Sequence, residues 1–87
     1  MIDTGINANH PEMAKHIQNN SITLSKGFPD DLNPLKDKCG HGTHGASVLL
    51  KTAPNAELLV ARVFDDNGRM PYKHNYPDVV EVMDRFY

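Results

Sequence analysis

Two short stretches of this 87-residue chain carry side chains that could do chemistry together. The first is Asp3-Thr4-Gly5. A carboxylate at the carboxyl end of a parallel strand points into the crevice where α/β proteins place their sites. Gly5 would let the chain turn sharply there. Taken alone, the triplet also fits an ordinary strand-ending turn, or one half of an aspartate dyad that shares a proton. The second stretch is Gly40-His41-Gly42-Thr43-His44, followed by Gly45-Ala46-Ser47. It places an imidazole at the start of a helix, with glycines on either side that would leave room for reactants. The positive end of the helix dipole disfavours imidazolium and favours a neutral, basic ring. A nearby carboxylate would orient that ring and stabilise its protonated form during turnover.

The elements that must hold these groups can be read from periodicity and turn chemistry. Met1-Ile2-Asp3 reads as the last residues of a strand. His10-Pro11 opens a helix running from Pro11 to about Gln18, with proline in the tolerated first turn, and Asn19-Asn20 stops it. Ser21-Ile22-Thr23-Leu24 is a β-branched strand run. Residues 26–40 hold Gly27, Pro29, Pro34 and Gly40 among several charges and read as a polar surface loop. From Gly42 to Thr52 the pattern is helical, with Ala46, Leu49, Leu50 and Ala53 at three- and four-residue spacing. Glu57 to Phe64 is rich in Leu and Val, as expected of a strand buried on both faces of a parallel sheet. Asp65-Asp66-Asn67-Gly68 is a turn, and Pro77 to Phe86 has an apolar stripe of Val79, Val80 and Met83 that predicts a further helix. Strands alternating with helices give an α/β layer fold.

An aspartate box followed about forty residues later by a histidine box is the pattern of the subtilisin-like serine proteases, and the chain resembles that family. Met1-Ile2-Asp3-Thr4-Gly5-Ile6 is similar to its aspartate box, and His10-Pro11-Glu12-Met13 to the His-Pro-Asp-Leu that often follows. Asp37-Lys38-Cys39-Gly40-His41-Gly42-Thr43-His44 is similar to its histidine box. Ala53-Pro54-Asn55-Ala56-Glu57-Leu58 resembles the entry to the next strand. The likeness runs from residue 1 to about 68. It implies a partial three-layer subtilisin-like fold of about three parallel strands with flanking helices. It also implies a strand order of the Ile22 strand, the Leu58–Phe64 strand and the Asp3 strand. Asp3 would orient the imidazole and His41 would act as general base and acid, with a polypeptide as substrate. His44 would pack or hydrogen-bond on the helix.

Part of the family pattern is not found. No Gly-Thr-Ser-x-Ala box occurs, and Ser21, Ser25 and Ser47 are the serines present. None fits as nucleophile, and no asparagine fits as oxyanion donor. Residues 1–87 are therefore expected to be the partial catalytic domain without its serine-bearing part, inactive alone, with the remainder of that domain as its partner. The alternative is a catalytically inactive remnant that binds another polypeptide through an unfinished sheet edge. The helix runs straight into Ala53-Pro54 without the family's calcium loop, so no calcium site is expected. Cys39, His41 and His44 resemble no common zinc framework, and we assign neither metal nor cofactor. Arg69-Met70-Pro71-Tyr72 matches poorly the edge strand that pairs with substrate in this family, which leaves substrate contacts unassigned.

Composition narrows the rest. The net charge is −2 with both signs scattered, which suits neither a nucleic-acid nor an anionic membrane surface. No apolar run is long enough to span a bilayer. Cys39 is the single cysteine, so no disulfide forms within the chain. No signal peptide is visible ahead of Asp3, and the compartment is left open.

Overall fold

The computed structural model describes residues 1–28 and 31–69. Five elements follow in order: strand β1 (Ile2–Asp3), helix α1 (Pro11–Gln18), strand β2 (Ile22–Gly27), helix α2 (His41–Thr52) and strand β3 (Leu58–Arg62). The three strands form one parallel sheet in the order β1-β3-β2, the arrangement that the family resemblance implies. The helix expected over Pro77–Phe86 and the poorly matching Met70-Pro71-Tyr72 lie outside the described residues.

β3 occupies the centre because its side chains suit both faces of the sheet. Leu58 and Val60 face one cluster, with Ile6, Met13, Ile22, Ala46 and Leu50. Ala61 and Val63 face the other, with Phe28. Both described helices contribute to the first cluster, so the layer above that face is α1 and α2. Ile2 pairs with Ala61 and Asp3 with Arg62, which places the Asp3 carboxylate at the carboxyl end of the sheet.

Local chemistry sets the helix ends. The ring of His10 accepts a hydrogen bond from the Glu12 N–H at 3.2 Å and so caps α1, with Pro11 in the first turn. Asn20 closes the connection to β2 with φ +65°, a conformation asparagine tolerates. α1 docks through fully buried Met13. A second tie joins the helices across the layer: the Ser47 hydroxyl of α2 donates to Glu12 Oε1 of α1 at 3.1 Å. That bond lowers the Glu12 carboxyl below its ordinary range, against a smaller opposing effect of burial.

Two expectations need correction. β2 does not end at Leu24. It continues through Ser25, Lys26 and Gly27, each paired with β3, and buried Phe28 donates its N–H to the Arg62 carbonyl at 2.8 Å. A central partner strand overrides the polar composition of this stretch. The inward face of α2 is also narrower than the spacing suggested. Gly42, Ala46 and Leu50 are buried, whereas Leu49 is 47% exposed, next to Val48 at 48%, and Ala53 is exposed. The buried positions follow strict four-residue steps along the helix, and Leu49 falls off that line.

The loop from 31 to 40 is tied along the β1–α1 connection. Ile6 and Ala8 donate their N–H groups to the carbonyls of Pro34 and Leu35, at 2.9 and 3.2 Å. Buried Arg62 supports the loop from below. Its guanidinium donates to the carbonyls of Asn33 and Phe64 and to Asp66 Oδ1, at 2.9 to 3.0 Å. These ties carry the loop to Asp37 and Gly40 at the head of α2.

Candidate active site

β1 delivers Asp3 and the first turn of α2 delivers His41, and the two side chains meet. His41 Nδ1 lies 2.9 Å from both carboxylate oxygens of Asp3. A carboxylate can only accept, so Nδ1 carries the proton and Nε2 is left as the basic nitrogen. The Thr4 N–H donates to Asp3 Oδ1 at 2.7 Å and fixes the carboxylate from behind. Burial is divided unequally: the Asp3 side chain is 16% exposed and that of His41 is 76% exposed. The carboxylate is thus held inside while the basic nitrogen faces outward.

The hydrogen bond and the charge of Asp3 raise the His41 pKa above the ordinary 6.5. Desolvation opposes the rise, and the more distant charge of Asp37 adds a smaller contribution to it. The helix N-terminus alone would push the other way. The carboxylate decides the sign, because it is in direct contact with the ring. The consequence for stability follows from linkage. The folded state holds the His41 proton more tightly than the unfolded chain does. The stabilisation is full below the unfolded pKa and is lost as pH rises through the folded one. Replacing Asp3 with asparagine removes the charge and is expected to shift the His41 midpoint downward, toward 6.5. An NMR titration of the ring reads this directly, and an unmoved midpoint would refute the assigned cause.

The glycines around His41 have reasons other than room for reactants. Gly40, the residue that begins α2, has φ +88°, and a Cβ there would meet no atom within 4 Å. Its requirement is backbone conformation. Gly42 is buried, and a Cβ there would lie 2.0 Å from the Gly5 carbonyl oxygen. Its requirement is the approach of the helix to the turn after β1, which is what brings His41 down onto Asp3.

Asp3, Thr4, Cys39, His41, Phe64 and Gly68 line an open hollow of about 260 Å³ beside the imidazole. Cys39 is an exposed thiol at its edge. The structure brings Asp3 and His41 together and leaves the chain's serines apart from them. Ser21 and Ser25 lie at and within β2, and the Ser47 hydroxyl is committed to Glu12. His44 is exposed on α2, facing the hollow between the two helices, rather than packed. Among the described residues, no group of three or more His, Cys, Asp or Glu side chains is arranged to hold a metal ion.

One residue that sequence reasoning quoted but gave no role is Asp37. It sits behind the pair and contacts both of its supporting segments. Burial would raise its pKa, but hydrogen bonds from Thr43, Gly40 and Thr4 together pull it below the ordinary carboxylate value. An aspartate three residues ahead of the glycine that starts a helix was the available signal, since such side chains cap exposed helix N–H groups.

The sequence matches the Subtilase family over residues 1–77, further than the motifs alone reach. The chain belongs to the subtilase family. Among curated relatives, it is 31% identical to thermitase of Thermoactinomyces vulgaris over 78% of this chain and 26% of that protein. It is 30% identical to subtilisin E of Bacillus subtilis over 83% of this chain and 20% of that protein. It is 32% identical to an intracellular serine protease of Paenibacillus polymyxa over 83% of this chain and 24% of that protein. The chain thus spans about a quarter or less of the length of these subtilases. Its parallel three-stranded sheet with two helices is consistent with a partial subtilisin fold.

Proposed function

We propose that this chain is the aspartate- and histidine-bearing part of a serine endopeptidase catalytic domain. The observation that carries the proposal is the contact of Asp3 with His41 Nδ1, made on elements in the order the subtilases use. In the mechanism, Nε2 of His41 takes the proton of a serine hydroxyl as that oxygen attacks the scissile carbonyl. It then returns the proton to the leaving amine. Asp3 holds the ring in the tautomer that exposes Nε2 and stabilises the imidazolium between those steps. That serine would come from outside residues 1–87, since the Ser47 hydroxyl is bonded to Glu12 and Ser21 and Ser25 lie at and within β2.

Hydrolysis requires neutral His41. The rate is therefore expected to rise with pH as the ring loses its proton, with a midpoint above 6.5 because Asp3 raises the pKa. The deciding experiment uses a fluorophosphonate probe, which labels an activated serine. The 87-residue chain should stay unlabelled, and a form extended to include a Gly-Thr-Ser-x-Ala box should label stoichiometrically. Labelling of the short chain would reveal a nucleophile among its own serines. An extended form that neither labels nor cleaves peptides would leave the polypeptide-binding remnant as the surviving reading.

A further inference from the structure

We infer that Asp37 is the positioning residue of this site, acting through Thr4 and Thr43 to set the separation of Asp3 and His41. The inference rests on the reading of His41 as a base, and it is carried by one hydrogen-bonded assembly. Asp37 Oδ1 accepts from the Thr4 hydroxyl and from the Gly40 N–H, both at 2.8 Å. Asp37 Oδ2 accepts from the Thr43 N–H at 2.8 Å and from its hydroxyl at 2.6 Å. Both carboxylate oxygens are therefore fully engaged, by donors from the strand end and from the helix start.

Each threonine then reaches across to the opposite segment. Thr4, on the β1 side, accepts the Gly42 N–H of α2 at 2.9 Å. Thr43, on α2, accepts the N–H of Asn7 in the β1–α1 connection at 2.9 Å. A hydroxyl has one proton to give. Because Asp37 takes that proton from both threonines, each hydroxyl oxygen is turned toward the amide it must accept. Asp37 thereby fixes the sense of two reciprocal stitches between the segments that carry the pair.

Their position in the chain explains why this matters for chemistry. Thr4 directly follows Asp3 and Gly42 directly follows His41, so the Thr4–Gly42 bond is one residue from the contact on both sides. A slip of the helix along the strand end would stretch that bond and the Asp3–His41 contact together. Asp37 makes no hydrogen bond to the ring; its charge acts on His41 from a distance, and it sets the position of the pair through Thr4 and Thr43.

The test is a ring titration of His41 by NMR in the 87-residue chain, its signal assigned by its loss in His41→Gln. Thr4→Val keeps the Asp37 charge and the side-chain shape but removes the hydroxyl. It is expected to shift the His41 midpoint downward, by less than Asp3→Asn does, and Thr4→Ser is expected to restore it. In the Asp3→Asn background, Thr4→Val should add no further shift, because the contact it positions is already gone. A folded Thr4→Val that titrates as wild type would overturn the inference, as would a shift that persists without the Asp3 charge. The wild-type chain supplies an independent measurement should Thr4→Val not fold. There the Gly42 N–H should exchange with solvent as slowly as the β3 amides, and exchange at an unprotected rate would overturn the inference equally. None of these readouts needs a nucleophile. An extended enzyme without peptidase activity would refute the proposed function and leave this inference standing.

Discussion

Replacing His41 with alanine in an extended, serine-bearing form of the protein is expected to lower kcat by about 10⁶-fold, the magnitude known for the same loss in the relative subtilisin. The structure here supplies the reason. Among the described residues, Asp3 is the group at hydrogen-bond distance from the ring, and the other ring nitrogen faces outward, so none of them is placed to substitute as base. Stability should barely respond, because 76% of the side chain is already exposed. Removing a surface side chain of this kind changes folding free energy by about 0.5 kcal/mol or less. A chromogenic peptide assay and a thermal melt on the same preparation separate the two effects. Near-normal turnover in the variant would end the assignment of His41 as base.

The second large effect falls on folding. Gly42→Ala is expected to destabilise the chain by more than about 3 kcal/mol, even though alanine is the better helix former by about 1 kcal/mol. The sign is decided by geometry. The new methyl would stand 2.0 Å from the Gly5 carbonyl oxygen, a contact with backbone on both sides that no rotamer relieves. The helix must withdraw from the strand end, which breaks the Gly42 N–H bond to Thr4 and carries His41 away from Asp3. Gly40→Ala makes the useful comparison. Space is open there, so its cost is only the left-handed backbone conformation, about 1–2 kcal/mol. Urea titrations of both variants should rank them in that order. Equal midpoints would show that the close approach of α2 is not required by the fold.

The parts of this structure that were legible in the sequence are those governed by local rules. α1 runs from Pro11 to Gln18 as its proline and its Asn19-Asn20 stop require. Asp3 and His41 were recognisable because the residue types around them are demanding in combination. What was not legible depends on neighbours distant in sequence. β2 extends through Ser25-Lys26-Gly27 because β3 offers a ladder of partners, which no local propensity encodes. Leu49 points outward because α2 docks along Gly42, Ala46 and Leu50, a line set by the turn at Gly5. The importance of Asp37 likewise arises from Thr4, thirty-three residues away. Long-range contacts of this kind fix where a helix sits, and sequence spacing fixes only which residues it contains.

The central place of β3 has a consequence for how the molecule is made. β1 and β2 each pair with β3 and not with each other. During synthesis, the stretch bearing Asp3 emerges about forty residues ahead of the stretch bearing His41, and among the described residues neither β1 nor β2 has a partner strand until β3. Assembly must wait for Leu58–Arg62 to leave the ribosome, and the closure then spans nearly sixty residues between Ile2 and Ala61. Pairings so distant along the chain form slowly, since loop entropy is lost before contacts repay it. Among the described residues, the sheet behind the Asp3–His41 contact is therefore complete only once β3 has inserted between β1 and β2.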